Sequence, residues 1–160
     1  MRRLAVIVAT GFGLGRLPIA PATWASFVVA LLLFALATWC PLALDPIALG
    51  VAILLLLPIA VWASGAAEQD LGHDAKPIVV DEIVGMLVAV WCVTPAGVAP
   101  SAALLGAAFL LFRLFDIAKP FPIGASQKLP GGLGVVTDDV LAGLATNVAL
   151  RLLLLAGVPL

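Results

Sequence analysis

Long apolar runs separated by short polar stretches dominate the pattern of hydrophobic and polar positions. Five runs approach the ~20 residues that a helix needs to cross a bilayer. They cover approximately residues 24–38, 46–64, 78–93, 102–117 and 140–158. These runs do not alternate apolar and polar positions as the strands of a membrane barrel do. The pattern predicts an all-α membrane bundle of about four to five transmembrane or membrane-embedded helices, in which the short runs tilt or stay embedded.

Composition agrees with a membrane protein. The chain is 64% hydrophobic, and its 11% of charged residues is far below the roughly 25% of ordinary soluble domains. A length of 160 residues predicts a single domain, 1–160. The net charge of −1 leaves no basic surface that would favour nucleic acid as a partner. The expected partner is the lipid bilayer, and no feature of the sequence indicates an oligomeric state.

The basic residues favour one orientation in the membrane. If the basic N-terminal segment is cytoplasmic, five crossings place the connections 64–76 and 119–138 on the cytoplasmic side as well. The outer connections then contain one charged residue, Asp45, and neither lysine nor arginine. This distribution satisfies the positive-inside rule. The exception is Arg151 in the last run, which we expect to extend toward the outer interface rather than join a site.

The carboxylates are concentrated beside the apolar runs. Eight of the nine lie in three short stretches: Glu68, Asp70, Asp74, Asp81 and Glu82; Asp116; and Asp138 with Asp139. A charge beside an apolar segment costs free energy unless it is paired, metal-bound or hydrated. In the orientation above, all eight fall on the inner side. They therefore predict a polyanionic site at the inner membrane surface that holds a divalent cation.

The first acidic motif is the pair Asp81–Glu82 at the start of the third run. Two adjacent carboxylates repel each other unless a cation intervenes, and Mg²⁺ prefers oxygen ligands. The alternative is that both acids only interact with the positive end of a helix dipole. The polar residues before this pair are predicted as secondary contributors: Asp70, His73, Asp74 and Lys76. For His73 the alternative is an ordinary solvated loop histidine.

The second motif places Arg113, Asp116 and Lys119 at intervals of three residues, along one face of a helix. One interpretation is a structural ion-pair cluster. The functional hypothesis is that Asp116 binds metal while Arg113 and Lys119 bind phosphate, since arginine binds phosphate bidentately and lysine acts as a point charge.

The third motif is the glycine-rich stretch before Asp138 and Asp139. A glycine-rich turn that leads into a helix offers backbone N–H groups to an anion. Thr137 or Asp138 is expected to cap the final helix. Because capping accounts for only one of the two acids, the pair predicts a site role.

The fourth motif, residues 10–26, imitates a nucleotide-binding turn. Its glycines follow G-x-G-x-G spacing rather than G-x-G-x-x-G, and the next acid, Asp45, comes too late for a dinucleotide site. We instead expect Arg16, Thr23 and Ser26 to contact a phosphate or a lipid headgroup.

Together, and in their order along the chain, the four motifs resemble the phosphatidylglycerophosphatase A family of bacterial membrane lipid phosphatases. The matching stretches are residues 13–15, 21–26, 78–86, 112–123 and 131–143. One departure is that Ala22 and Ala25 replace two glycines that the family usually has in the stretch 21–26. The resemblance implies a compact helical enzyme of the bacterial cytoplasmic membrane, with its site facing the cytoplasm. It also implies Mg²⁺-dependent hydrolysis of phosphatidylglycerophosphate to phosphatidylglycerol.

The residues support a specific hypothesis for the site. The predicted catalytic residues, which would also hold one or two Mg²⁺, are Asp81, Glu82, Asp116, Asp138 and Asp139. The predicted phosphate-binding residues are Arg113, Lys119 and Arg16. The predicted secondary contributors are Asp70, Asp74, His73, Lys76 and Thr23. One carboxylate would act as general base, and both direct attack by water and a covalent aspartyl-phosphate are compatible with this set. The alternative function is a small ion-coupled transporter that uses the carboxylate cluster, because acids within membranes also serve ion pathways.

Overall fold

Helices form all the regular secondary structure in the described part of the chain. The computed structural model describes residues 2–72, 75–94 and 99–160. The α-helices are α1 (Arg2–Ala9), α2 (Pro21–Trp39), α3 (Pro46–Leu71), α4 (Val80–Val90), α5 (Ala102–Ala118), α6 (Ile123–Ser126) and α7 (Gly132–Leu155), with 3-10 turns at Gly11–Arg16 and Pro41–Leu44. The predicted all-α architecture is confirmed.

Three helices, α2, α3 and α7, are long and apolar enough to cross a membrane. All three are longer than the predicted runs, and the largest extensions are in α3, which continues past 64 to Leu71, and in α7, which begins at Gly132 rather than at 140. The reason is close packing between them, since a Cβ at Gly132 would clash with the Val61 carbonyl of α3. Because α3 extends so far, Glu68 lies in its last turns instead of in the predicted loop.

Helix α4 is the core of the bundle. Its 11 residues span ~17 Å, well short of the ~30 Å hydrocarbon core of a bilayer. All of them are buried except Ile83, which is half-buried. Beyond its first turn, which carries Asp81 and Glu82, α4 is apolar on every side, as is typical of a buried helix. The run 78–93 therefore supplies an embedded core helix, as some of the shorter runs were expected to do, and the five crossings counted in the orientation above are not all full crossings.

The helices alternate in direction. Ser26 at the start of α2 and Arg113 near the end of α5 both bind Glu82 at the start of α4. At the opposite end of the bundle, Trp91 Nε1 after α4 donates to the Pro46 carbonyl at the start of α3, over 2.8 Å. The starts of α2 and α4 and the end of α5 therefore meet at one end of the bundle.

Polar side chains of α7 bind the far end of α4. The Asn147 amide donates to the carbonyls of Val88 and Ala89 at 3.1 Å and of Trp91 at 2.7 Å. Arg151 donates to Asn147 Oδ1 at 2.8 Å and also to the Cys92 carbonyl. These bonds satisfy carbonyls that a helix end leaves without partners. Arg151 thus stays away from the acidic residues, as expected, and its guanidinium binds the end of α4.

Glycines bring α4, α5 and α7 together beneath the acidic residues. A Cβ at Gly85 of α4 would lie 2.6 Å from the Phe112 ring of α5 and 2.8 Å from the Asp139 carbonyl oxygen of α7. A Cβ at Gly143 of α7 would clash with the Gly85 carbonyl. Backbone contact at these positions fixes how far apart the helices carrying the acids can be.

Candidate active site

The five predicted acids converge on one pocket, although up to 58 residues of sequence separate them. The pocket has a volume of about 310 Å³ and is lined by Asp81, Glu82, Asp116, Asp138, Asp139, Lys76, Lys119, Ala22, Ala75, Ile78 and Ile117. The acids come from the first turn of α4, the last turn of α5 and the early part of α7. Each is only 2–8% exposed. The structure therefore brings together all five of the residues predicted as catalytic.

The acids of α7 are not helix caps. The helix begins at Gly132 with Gly131 as its N-cap, so Asp138 lies nearly two turns inside it. The expectation that Thr137 or Asp138 caps α7 is therefore wrong. The glycine-rich stretch is itself the first helical turn, and its glycines allow close packing; a Cβ at Gly134 would clash with the Leu129 carbonyl. Both acids are left to line the pocket.

Glu82 is held by two long-range partners. Ser26 Oγ donates to Glu82 Oε2 at 2.7 Å, and Arg113 Nη1 donates to both carboxylate oxygens at 2.7 and 2.8 Å. The same Nη1 lies 3.0 Å from Asp116 Oδ2. Arg113 therefore ties the acids of α4 and α5 to each other. Ser26 was expected to contact a phosphate or headgroup, and its role as the partner of Glu82 was not predicted.

Lys119 links α5 to α7 at the pocket wall. Its ammonium forms an ion pair with Asp138 and lies 3.7 Å from Asp116 Oδ1. Partial burial lowers the pKa of Lys119, but the hydrogen bond to Asp138 and the charges of Asp138, Asp116 and Asp139 outweigh burial and raise it above its ordinary value. Lys119 is therefore a permanent cation at neutral pH.

Two of the three cations predicted to bind phosphate, Lys119 and Arg113, occupy different positions. Lys119 lines the pocket, and 28% of its side chain is exposed. Arg113 is not among the described residues that line it; its side chain is 13% exposed and is turned to Glu82 and Asp116. The structure thus supports the ion-pair interpretation for Arg113 and keeps Lys119 available to a ligand in the pocket.

The structure does not bring Arg16 into the acidic pocket. Gly15 packs so closely on the Pro77 backbone that a Cβ there would clash, and this contact fixes the preceding turn. Arg16 follows on the outside and lines a separate cavity of about 420 Å³ with Arg3 and Asp70. The expectation that Arg16 and Asp70 contribute to the acidic pocket therefore has no support from the geometry.

The residues predicted as secondary contributors also differ in whether they line the acidic pocket. Lys76 lines the acidic pocket. Thr23 lies half-buried in the first turn of α2 and is not among the described residues that line the pocket, although its neighbour Ala22 is. His73 and Asp74 lie outside the described residues.

The donor set fits a divalent cation. Asp116, Asp138 and Asp139 each offer a carboxylate oxygen, and these oxygens all lie within 4.8 Å of one another. Opposite oxygens around a cation are ~4 Å apart for Mg²⁺ and ~5 Å apart for Ca²⁺. Asp139 is 3% exposed and lies among the other four carboxylates of the pocket. Burying like charges together is costly, and an ion between them would remove that cost.

Known proteins of similar sequence point to one chemistry. A family model described as phosphatidylglycerophosphatase A matches residues 7–154. Proteins named phosphatidylglycerophosphatase A from Haemophilus influenzae and Escherichia coli are 36% and 33% identical to this chain. The matches cover 86% of this chain in both cases, and 81% and 76% of the two relatives. A Bacteroides thetaiotaomicron protein, named provisionally as a phosphatidylinositol-3-phosphatase, is 35% identical over 88% of this chain and 87% of its own length. No solved structure matches.

Proposed function

The chain belongs to the phosphatidylglycerophosphatase A family, and from this premise we propose that it hydrolyses the terminal phosphomonoester of phosphatidylglycerophosphate to phosphatidylglycerol and phosphate. The family is one of phosphoric monoester hydrolases. The observation that carries the proposal is the convergence of five buried acids from three helices on one pocket at one end of the bundle.

The position of the pocket suits a lipid substrate. It lies where apolar helices end, so a phosphorylated headgroup can reach it while the acyl chains stay among those helices. From the distribution of basic residues we place this end at the cytoplasmic face of a bacterial membrane. The relatives are named for different lipid headgroups, glycerophosphate and inositol 3-phosphate, which share a phosphomonoester. That shared group is what the pocket is proposed to recognise.

Asp116, Asp138 and Asp139 would hold the cation, which we propose to be Mg²⁺. When bound, such an ion would withdraw charge from the phosphoryl oxygens and favour ionisation of a bound water.

The remaining residues of the pocket have separable roles. Lys119 and Lys76 line the wall and would bind the phosphomonoester oxygens as point charges. Arg113 acts indirectly, because it holds Glu82 and Asp116 in place. Of the two acids in the pocket that lie outside the group of three that fits a cation, Glu82 is held by Ser26 and Arg113, whereas Asp81 lines the pocket. We therefore assign it as general base.

The reaction balances as a simple hydrolysis. The water oxygen attacks phosphorus in line with the ester bond, and its proton passes to the Asp81 carboxylate. The bond between phosphorus and the glycerol oxygen breaks, and that oxygen leaves as the alcohol after taking up a proton from solvent, while Asp81 returns its proton to solvent. Inorganic phosphate remains between the lysines until it is released.

The transporter alternative has no support. The relatives are named as phosphatases, and the carboxylates gather at one end of the bundle rather than midway along it.

Phosphate release tests the proposal directly. The purified chain in mixed micelles with Mg²⁺ and phosphatidylglycerophosphate should release phosphate, and Asp81→Asn, Asp116→Asn and Asp139→Asn should each lower the rate by roughly 100-fold or more. Asp45→Asn is the matched control. Asp45 caps α3 through a 2.9 Å bond from Ile47 N, away from the pocket, and asparagine caps equally well.

Two results would contradict the proposal. Near-wild-type rates in folded Asp81, Asp116 and Asp139 variants would remove the acidic pocket from the chemistry. Failure of the wild-type chain to hydrolyse any lipid phosphomonoester in the presence of Mg²⁺ would remove the function itself.

A further inference from the structure

A second cavity, between α2 and α5, is apolar. Its volume is about 320 Å³, and every described residue that lines it is apolar. Phe27, Leu31 and Phe34 line it from α2, and Leu105, Gly106 and Phe109 line it from α5. We call this cavity the α2–α5 groove. Leu31 and Phe34 are 50% and 45% exposed, so the groove is open to the surface of the bundle.

The α2–α5 groove continues from the acidic pocket along the same two helices. On α2, Ala22 lines the pocket, Ser26 binds Glu82, and the next residue, Phe27, lines the groove. α5 is antiparallel to α2, so the residue numbers on α5 fall from the pocket toward the groove. Ile117 lines the pocket, Arg113 binds Glu82, and Phe109, one turn earlier, lines the groove.

Phe27 and Phe109 meet at this boundary. Their rings pack edge to face, with centroids 5.8 Å apart. A polar compartment and an apolar compartment therefore follow each other along one pair of helices.

We propose that the α2–α5 groove binds one acyl chain of the lipid substrate while the phosphomonoester of the same molecule occupies the acidic pocket. This inference rests on the proposed function and adds the face of the bundle from which the substrate enters. The two compartments match the two parts of a phosphorylated lipid. The groove runs along eight residues of each helix, from 27 to 34 and from 102 to 109, and the first and last of these are ~10 Å apart along the axis. That length is about two thirds of a ~15 Å leaflet of hydrocarbon.

The groove would act by positioning the substrate. Lipid tails are as apolar as leucine side chains, so moving a chain from the bilayer into the groove gains little from burial. Holding one chain against α2 and α5 nevertheless fixes the depth and direction of the headgroup at the pocket. Reactions that depend on such alignment lose rate steeply when the substrate is misplaced.

Gly106 allows the groove to be filled without disturbing the bundle. A Cβ built at Gly106 meets no atom of the described residues within 4 Å, so Gly106→Leu places its side chain in open space within the groove. Gly106→Ala controls for the change in helix propensity. Ala103→Leu adds similar bulk on the same helix at an exposed position that is not among the described residues lining the groove.

The experiment compares phosphatidylglycerophosphate carrying long acyl chains with the same headgroup on four-carbon chains. Gly106→Leu should lower kcat/KM for the long-chain lipid by about tenfold relative to Ala103→Leu and Gly106→Ala, because the headgroup is misplaced. Its rate with the short-chain lipid should not change. An equal loss on both lipids, or no loss on either, would overturn the groove assignment.

A labelling experiment tests the groove independently of catalysis. A phosphatidic acid with a photoreactive acyl chain, added with Mg²⁺ to the Asp81→Asn variant so that it is bound without being hydrolysed, should label residues 27–34 and 102–109, and adding Gly106→Leu should abolish that labelling. Phosphatidylcholine with the same chain lacks the phosphomonoester and should label the apolar surface without this preference. Equal labelling by both lipids would show that the groove holds bulk lipid. Protection of the groove from labelling by a second copy of the chain would show that it is an interface between two copies. Either result would overturn the proposal. If no lipid is hydrolysed but the labelling is as expected, the proposed function fails and the groove assignment stands.

Discussion

Gly85→Ala should separate the helices that carry the acids. Gly85 lies on α4 where it crosses α5 and α7, directly beneath the acidic pocket. The added methyl carbon would lie 2.6 Å from the Phe112 ring and 2.8 Å from the Asp139 carbonyl oxygen. The ring is fully buried and the oxygen belongs to the backbone of a neighbouring helix, so neither can move aside cheaply.

The two contributions to the free energy of unfolding have opposite signs. Alanine in a helix interior is favoured over glycine by about 1 kcal/mol. Overpacking a tight interior costs about 1–3 kcal/mol. Because the obstacles at Gly85 are a buried ring and a backbone oxygen, we expect the upper part of that range and a net loss of about 1–2 kcal/mol. Activity should fall by about tenfold, since Asp139 is displaced from the other acids.

Gly106→Ala is the matched control, because the same substitution there meets no described atom within 4 Å. Gly106→Ala should raise the free energy of unfolding by up to about 1 kcal/mol, so the free energies of unfolding of the two variants should differ by about 2–3 kcal/mol. Denaturant unfolding in detergent and phosphate release would measure both effects. A Gly85→Ala protein as stable and as active as Gly106→Ala would refute the claim that backbone contact at Gly85 sets the helix spacing.

Three further substitutions test the contacts around the pocket and the core. Arg113→Met should destabilise the fold by about 3–5 kcal/mol because Glu82 loses its buried partner. Adding Glu82→Gln should restore part of the lost stability. Unfolding curves without such a recovery would contradict the pairing of Arg113 with Glu82. Ser26→Ala should lower the free energy of unfolding by about 1.5–3 kcal/mol and reduce phosphate release. Ser64→Ala should do neither, because Ser64 Oγ has no hydrogen-bond partner among the described residues. Equal effects of the two substitutions would contradict the role of Ser26. Asn147→Leu should lower the free energy of unfolding by at least about 1–3 kcal/mol, because carbonyls at the end of α4 lose a hydrogen-bond donor. A binding titration should show that its cation affinity is unchanged.

Residue patterns alone predicted much of the site. Acids beside apolar runs are costly, and that cost was enough to predict that Asp81, Asp116 and Asp139 converge with their neighbours. The limits of α5 were also close to those of the fourth apolar run, because Ser101 accepts a capping bond from Leu104 N and a polar segment follows the helix.

The features that the sequence did not predict depend on long-range contacts. Glycine-rich residues 131–134 have the local character of a turn, yet α7 begins at Gly132, which packs against the α3 backbone. Ser26 and Glu82 are 56 residues apart, so no local pattern pairs them. Arg16 and Lys119 both follow motifs that indicate phosphate binding, and only the fold shows that Arg16 lies at a different cavity.

The most direct test of the account is a titration of the purified chain with Mn²⁺, followed by electron paramagnetic resonance and competed with Mg²⁺. The account predicts that the wild-type chain and Asp45→Asn bind the ion and release it to Mg²⁺, whereas Asp139→Asn, although folded, does not bind it. Equal binding by wild type and Asp139→Asn, or no binding by the active wild-type enzyme, would contradict the assignment of Asp116, Asp138 and Asp139 as the centre that holds the cation.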